Sequence, residues 1–272
     1  MKNILQKYHT FLLDLDGTIY RGNEVIPEAL PFIAWLKAEN KGYNYLTNNS
    51  SATPEQLAER LTRMGIEATP DEFFTSAMAT AQMIRDLEKE KDPARVTVYI
   101  IGEEGIHKAI TDQGFTIVKQ APADYVIVGI DRSFTYEKMK QAVRAIYQGA
   151  RFISTNRDRA IPTEEGLAPG NGSLTAAIAY ATGQEPVYVG KPEATMIRLA
   201  LASMNRTETN TLVIGDNLET DIAAGVQSGV DTLLVLTGFS QEKNLVKSSI
   251  QPTHIKKDLS LNVYGNGDGL NG

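Results

Sequence analysis

Strand-like and helix-like segments alternate along almost the whole of this 272-residue chain. Thr10 to Leu15 is an apolar run too short for a helix, and Glu28 to Asn40 then shows apolar residues at helical spacing until Gly42. The alternation continues in the middle, where Arg95 to Ile101 predicts a strand and Glu103 to Gln113 a helix. This order predicts an α/β fold, with a Rossmann-like parallel-sheet core and helices on both faces.

The remaining predicted elements follow the same pattern. The further strands are Tyr43–Leu46, Asp124–Val128, Arg151–Ser154, Val187–Val189, Thr211–Ile214 and Thr232–Leu236. The further helices are Pro54–Met64, Tyr136–Tyr147, Leu174–Thr182, Glu193–Met204 and Leu218–Gln227. Thr155 to Gly172 is rich in Pro, Gly and Asn and is predicted to be a long loop, a type that is often functional. The Gly- and Asn-rich tail from Asn262 to Gly272 is expected to be frayed.

Composition excludes several classes of function. The net charge is −6 with no basic stripe, so a nucleic-acid partner is not expected. The chain has no cysteine, which excludes disulfides, thiolate nucleophiles and cysteine-ligated metals. It has no apolar run of membrane-spanning length and no signal peptide at its start, so we expect a cytoplasmic protein without membrane contact. The oligomeric state is left open, and a homo-oligomer is allowed.

Polar side chains follow four of the predicted strands. In open α/β sheets, ligands bind beyond the carboxyl ends of the strands, so these residues are the candidates for a site. They are Asp14 and Asp16 after the first strand, Thr47 and Asn48 after the second, Lys191 after Val189, and Asp216 and Asp221 after Ile214. The sequence thus predicts that these groups converge on one sheet edge.

The acidic residues in this set indicate a hard metal ion. Asp14 and Asp16 are two residues apart, which in extended backbone points both side chains the same way. Two carboxylates that face one spot repel each other unless one is protonated or a cation lies between them. With Asp216 they form an oxygen-rich cluster that suits Mg²⁺. Lys191 is a compact positive charge that can hold a phosphate, and Thr47 can donate a hydrogen bond to it.

Four segments carry a resemblance to a known family. They are Asp14-Leu15-Asp16-Gly17-Thr18, Thr47, Gly190-Lys191-Pro192 and Gly215-Asp216-Asn217-Leu218-Glu219-Thr220-Asp221. Together they resemble the four motifs of the haloacid dehalogenase-like hydrolases. Leu46-Thr47-Asn48-Asn49-Ser50 and Pro169-Gly170-Asn171-Gly172-Ser173 further resemble the branch that includes NagD-like and 4-nitrophenyl phosphatases.

The resemblance implies a magnesium-dependent phosphatase that acts on small-molecule phosphate esters, such as a nucleotide or a sugar phosphate. Asp14 would attack phosphorus and form an aspartyl-phosphate, and Asp16 would act as the general acid and base. Asp14, the backbone carbonyl of Asp16 and Asp216 would hold Mg²⁺. The remaining implied roles are phosphoryl binding by Thr47, Lys191 and Asn48, and outer contacts by Asp221 and Asn217.

The resemblance also implies two domains. Residues 1–78 and 185–272 would form the core, and residues 79–184 would form an inserted α/β cap that excludes water and selects the leaving group. The loop in this cap is predicted to contact the substrate through Asn156, Arg157 and Asp158.

Two alternatives remain at this point. A phosphotransferase or mutase on the same fold is allowed by the same residues, whereas carbon–halogen hydrolysis is disfavoured because it has no leaving oxygen for Asp16 to protonate. A non-enzymatic phosphoacceptor domain also gathers carboxylates, a Thr and a Lys around Mg²⁺. Such domains are much shorter than this chain, and Gly-Thr after the acidic pair would be out of place there.

Overall fold

A computed structural model describes residues 2–163 and 165–261 of the chain. The strands are β1 (Thr10–Leu13), β2 (Tyr20–Arg21), β3 (Glu24–Val25), β4 (Gly42–Thr47), β5 (Phe73–Thr75), β6 (Thr97–Ile101), β7 (Thr116–Val118), β8 (Tyr125–Val128), β9 (Arg151–Ser154), β10 (Ala160–Thr163), β11 (Gly166–Pro169), β12 (Val187–Tyr188), β13 (Thr211–Gly215), β14 (Asp231–Val235) and β15 (His254–Lys256). The α-helices are α1 (Lys2–Leu5), α2 (Ala29–Ala38), α3 (Pro54–Arg63), α4 (Ser76–Leu87), α5 (Glu104–Asp112), α6 (Tyr136–Tyr147), α7 (Asn171–Thr182), α8 (Ala194–Ser203), α9 (Ala223–Gln227) and α10 (Glu242–Lys247). Pro70–Glu72 and Pro93–Arg95 are 3₁₀ turns, and Leu218–Ile222 is a π-helix.

Local sequence explains where the helices begin and end. Thr53 and Gln56 form a capping box at the start of α3, with Pro54 in its first turn. The hydroxyl of Thr135 accepts a hydrogen bond from Lys138 N at 3.2 Å and caps α6. Gly183 ends α7 with a φ of 64°, in the left-handed region that glycine tolerates best.

The predicted strands and helices occur within a few residues of their expected positions, but several segments differ. Helices α1 and α10 and strands β2, β3, β7 and β15 were not predicted. The predicted loop from Thr155 to Gly172 contains the antiparallel hairpin β10–β11, so it is not without secondary structure. The helix predicted over Leu218 to Gln227 begins as a π-helix. Strand β5 and helix α4 were not predicted, because the run Phe73 to Leu87 has no Gly or Pro to mark its elements. The tail expected to be frayed, Asn262 to Gly272, lies outside the described residues.

One compact unit comprises the described residues up to Tyr43 and from Arg206 onward. Its parallel strands run in the order β15-β14-β13-β1, and Leu13 of β1 is in register with Ile214 of β13. Beneath β1 lies an aromatic core in which Phe11 meets Phe32 and Trp35 edge-on, with ring centroids 6.3 and 6.0 Å apart. The parallel pairing of β1 with β13 places the carboxyl ends of the two strands side by side.

The second compact unit comprises Asn44 to Asn205. Its five-stranded sheet is parallel throughout, in the order β12-β9-β8-β6-β7, and α6 and α7 cover a core that includes Val126, Val128, Ile146 and Ile178. Strand β4, whose first two residues belong to the other unit, pairs with β5 in this one. The core and cap predicted at residues 1–78 with 185–272 and at 79–184 have other bounds than these units, and they remain a prediction.

Strand β12 lies at the edge of the five-stranded sheet, beside β9. The prediction that Lys191 follows a strand of the sheet that carries Asp14 is therefore wrong. The reason is that a two-residue strand carries too little pattern to indicate which sheet it joins.

Among the described residues, no helix combines the length and the apolar character that crossing a bilayer requires.

Candidate active site

An acidic cluster lies at the carboxyl ends of β1 and β13. Asp14 follows β1 and donates its backbone N–H to Ile214 O at 2.8 Å, which brings it beside Asp216. Asp14, Asp216 and Asp221 each offer one carboxylate oxygen, and these three oxygens lie within 4.8 Å of one another. Asp216 and Asp221 are buried and Asp14 is half-buried. Three carboxylates are thus held close together, largely out of water.

The π-helix brings Asp221 into this cluster. Its wide turn is visible at Asn217, whose carbonyl oxygen accepts hydrogen bonds from both Asp221 N at 3.0 Å and Ile222 N at 3.2 Å. The Asn217 side chain caps the turn by accepting from Glu219 N at 2.9 Å, and Asp221 Oδ2 accepts from Asn217 N at 3.1 Å. The side chain of Asp221 is therefore turned back toward the end of β13.

Three glycines let the backbone approach the buried carboxylates. A Cβ atom added to Gly238 would lie 1.9 Å from Asp216 Oδ2, and one added to Gly17 would lie 2.4 Å from the same oxygen. A Cβ added to Gly215 would lie 2.2 Å from Asp221 Cβ. Contacts this short do not occur between real atoms, so any side chain at these positions would displace an aspartate.

The cluster fits a hard divalent cation. Its three closely spaced carboxylates repel each other, and a cation between them would offset that repulsion. The group consists of oxygen donors alone, without the nitrogen or sulfur ligands that zinc prefers.

Asp16 lies outside this group of three. Its side chain is exposed, and the backbone after it turns sharply, with Gly17 N donating to Tyr20 O at 2.7 Å. Strand β1 ends at Leu13, one residue before Asp14, so the two side chains do not both project from the strand itself.

A second polar cluster lies in the other unit. Lys191 is 3% exposed, and its ammonium group donates to Leu46 O at 2.9 Å. Asn48 Nδ2 donates to Lys191 O at 2.9 Å. Thr47 Oγ1 accepts from Asn49 N at 3.1 Å. The predicted phosphoryl-binding residues Thr47, Asn48 and Lys191 are therefore brought together.

The residues predicted to contact substrate from the cap begin just beyond β9. Asn156 is buried, and its amide donates to Asn48 O at 2.8 Å. Asp158 Oδ1 accepts from Asn48 Nδ2 at 3.3 Å. Arg157 is half-exposed, pairs with Glu193 and lies over the ring of Tyr188 at 4.3 Å from its centroid. Substrate contact by these three residues remains a prediction.

Several supporting residues were not identified from the sequence. Gly17 and Gly215 stand inside the quoted motifs, but their contacts with the carboxylates were not predicted. Gly238 lies 22 residues beyond Asp216 in the sequence, so no motif indicated that its Cβ position would lie against that carboxylate. Ser76 was also not predicted, because it lies 28 residues from Asn48, whose carbonyl oxygen accepts a hydrogen bond from the Ser76 hydroxyl at 2.8 Å.

The chain is similar to known proteins over nearly its whole length. A family model described as haloacid dehalogenase-like hydrolase matches residues 11–116, and a second one, HAD-hydrolase-like, matches residues 188–261. The 5′-nucleotidase YutF of Bacillus subtilis is 48% identical over 256 residues, which is 94% of this chain and 98% of that protein. The acid sugar phosphatase of Staphylococcus saprophyticus is 41% identical over 256 residues, covering 94% and 97% of the two chains.

Solved structures show the same fold. A thermostable NPPase single mutant from Geobacillus stearothermophilus superposes with a TM-score of 0.86 at 45% identity, covering 93% of this chain and 97% of that one. The 4-nitrophenylphosphatase of Thermotoga maritima gives a TM-score of 0.86 at 30% identity, covering 94% and 96%.

Proposed function

The chain belongs to the haloacid dehalogenase-like hydrolases, and from this premise we propose that it is a magnesium-dependent phosphomonoester hydrolase acting through an aspartyl-phosphate. The observation that carries the proposal is the cluster of Asp14, Asp216 and Asp221, whose carboxylate oxygens lie within 4.8 Å of one another. A phosphatase is also what the relatives' names describe, namely a 5′-nucleotidase, acid sugar phosphatases and 4-nitrophenylphosphatases.

The reaction takes place in two steps. First, a carboxylate oxygen of Asp14 attacks phosphorus; the new O–P bond forms as the bond to the leaving oxygen breaks, and Asp16 protonates that oxygen. Then Asp16 removes a proton from water, which attacks phosphorus and frees both phosphate and Asp14. The exposed position of the Asp16 side chain is compatible with this role, because a general acid has to reach the substrate.

Asp14, Asp216 and the backbone carbonyl of Asp16 would hold Mg²⁺, with Asp221 and Asn217 as outer contacts. When bound, the ion would neutralise negative charge on the transferring phosphoryl group. Asp221 lies in the same group of three carboxylates as Asp14 and Asp216. Its assignment as an outer contact, and not as a direct metal ligand, therefore rests on the family resemblance alone.

Thr47 and Lys191 would bind the phosphoryl oxygens. The buried ammonium of Lys191 supplies the positive charge that an acidic protein needs in order to attract a phosphate. We propose small phosphorylated metabolites as substrates, with a nucleotide or a sugar phosphate favoured because relatives carry those names. A cytoplasmic location and the absence of nucleic-acid and membrane partners complete the proposal.

Hydrolysis of 4-nitrophenyl phosphate with Mg²⁺ tests the proposal. We expect catalytic release of nitrophenol by the wild-type chain and a loss of at least a hundredfold for Asp14→Asn, which cannot form the acyl phosphate. Asp112→Asn is the matched control, since the side chain of Asp112 is exposed and forms an ion pair with Lys108. Retention of activity by Asp14→Asn, or a single stoichiometric phosphorylation of the wild type, would overturn the proposal.

Phosphotransferase or mutase activity is the alternative on the same residues. It predicts that phosphate from the aspartyl-phosphate passes to an added alcohol or to a second position of the substrate. We expect inorganic phosphate to be released in proportion to nitrophenol instead.

A further inference from the structure

The loop of residues 48–52, called here the anchor loop, begins directly after Thr47 at the end of β4. It is bonded to residues just beyond three strands of the five-stranded sheet. Ser51 O accepts from Gly105 N at 2.8 Å, beyond β6. Ser50 Oγ accepts from Ile130 N at 3.3 Å, beyond β8, and Asn48 O accepts from Asn156 Nδ2 at 2.8 Å, beyond β9. The carboxyl ends of these strands therefore fix the position of the loop.

Glycines just beyond β6, β8 and β12 allow the loop to come this close. A Cβ atom added to Gly105 would lie 2.5 Å from Ala52 O, and one added to Gly129 would lie 2.9 Å from Ser50 Oγ. A Cβ added to Gly190 would lie 2.6 Å from Asn48 Oδ1. Each of these distances is shorter than a carbon atom tolerates, so the close approach depends on glycine.

The orientation of the Asn48 amide follows from its neighbours. Its Nδ2 lies 2.9 Å from Lys191 O and 3.3 Å from Asp158 Oδ1, and both of these atoms are acceptors. The amide must therefore present its nitrogen to them, because the flipped orientation would oppose oxygen to oxygen. In return, Lys191 Nζ donates to Leu46 O at 2.9 Å. Lys191 is thus held at its main chain and at its side chain by the residues that flank Thr47.

We propose that Asn48 is a positioning residue that aligns Thr47 and Lys191, and that Asn156 acts on the same alignment through Asn48 O. This inference rests on the proposed function, in which Thr47 and Lys191 bind the phosphoryl group. It assigns Asn48 and Asn156 a role different from the direct phosphate and substrate contacts that the sequence suggested. Asn156 is 4% exposed, with its amide directed at the anchor loop.

Alanine variants at both positions test the assignment. Asn48→Ala, Asn156→Ala and the double variant are assayed for kcat, for KM and for inhibition by inorganic phosphate, a probe of phosphate binding alone. We expect each single variant to lower kcat about ten- to a hundredfold, because displacement of a binding group by about 1 Å costs this much. Phosphate inhibition should weaken in parallel, and the double variant should be no worse than the more impaired single one, as for residues that act through one element.

Asn44→Ala is the matched control. Asn44 is buried in the same unit, and its amide donates to a main-chain oxygen, that of Asp71, at 3.1 Å. Its loss should lower thermal stability and leave kcat and phosphate inhibition unchanged. A fall in kcat in Asn44→Ala as large as that in the loop variants would overturn the positioning role, since it would show a general effect of lost stability.

Two further outcomes decide the assignment. If Asn156→Ala equals the wild type while Asn48→Ala weakens phosphate inhibition, Asn48 contacts phosphate directly and the assignment is overturned. If Asn48→Ala does not fold, Ser76→Ala serves as the second variant, because it removes a single donor to Asn48 O at 2.8 Å. Ser76→Ala should still lower kcat severalfold. A wild-type kcat in this variant would overturn the proposal. Failure of the proposed function is recognised separately, because the wild-type chain would then release no nitrophenol.

Discussion

Gly238 and Gly229 show how differently two glycines of the same unit contribute to the protein. Gly229 has a φ of 72° and no heavy atom within 4 Å of the position where a Cβ would lie, so only its backbone conformation requires glycine. Gly238 needs no positive φ, but its Cβ position lies 1.9 Å from Asp216 Oδ2. Conformation therefore explains the first glycine and proximity to the acidic cluster explains the second.

Alanine at each position should separate these effects. Gly229→Ala should lower the free energy of unfolding by about 1–2 kcal/mol, the usual cost of a left-handed conformation for a residue with a Cβ, with no change in kcat. Gly238→Ala should displace Asp216 and lower both Mg²⁺ affinity and kcat about ten- to a hundredfold. Metal titrations and thermal unfolding of both variants check this. Equal kcat values in the two variants would contradict it.

Asp16→Asn tests the general acid at the same scale. The variant keeps the shape of the side chain but cannot donate a carboxylic proton. We expect kcat to fall about 10²- to 10⁴-fold with an alkyl phosphate, whose leaving oxygen needs that proton. The loss should be smaller with 4-nitrophenyl phosphate, since nitrophenolate leaves without protonation. A loss independent of the leaving group would contradict the role in the first step.

At the scale of elements, the connection from β8 to α6 contains a half-buried ion pair. Asp131 is 1% exposed at its side chain and lies 2.6 Å from Lys138 Nζ, in the first turns of α6. Burial raises the pKa of the Asp131 carboxyl, but hydrogen bonds from Lys138 and Ser133 outweigh it, so the pKa lies below its usual value. The ionised carboxylate therefore stabilises this connection.

The lowered pKa sets the direction of a pH effect. A carboxyl whose pKa is lower in the folded state contributes stability above its unfolded pKa, about 3.9, and loses it as the pH falls through its folded pKa. Asp131→Asn should lower the free energy of unfolding by about 1–3 kcal/mol at pH 7. This loss is smaller than that from breaking a fully buried pair, because Lys138 is about one-third exposed. Thermal unfolding against pH should show the difference between the two proteins shrink as the pH falls below about 4. A constant difference would contradict the assignment.

At the scale of the whole molecule, metal binding and folding should be linked. A ligand that binds only the folded state stabilises it, by about 2.7 kcal/mol at a hundred times its Kd. Mg²⁺ should therefore raise the unfolding temperature of the wild-type chain, and a chelator should reverse the rise. Asp216→Asn should abolish the rise, whereas Asp112→Asn should retain it. An identical rise in Asp216→Asn would place the metal elsewhere.

Local pattern was enough for the order of elements and for the candidate acids. Apolar spacing predicted most strands and helices because it depends on residues that are neighbours in the sequence. Motif spacing singled out Asp14 and Asp216, and the structure brings their carboxylates together. The roles of the individual site residues remain predictions.

Tertiary structure decided what depends on residues far apart in the chain. The two-residue strand β12 pairs with β9, so Lys191 follows a strand of a different sheet from the one that carries Asp14. Asn48 forms hydrogen bonds with Asn156 and Lys191, which lie 108 and 143 residues away in the sequence. No local sequence pattern predicts either bond. The sequence by itself thus determined the fold class and the acidic residues, because short-range periodicity and motifs encode them. The anchor loop and the glycine contacts emerged only from long-range packing.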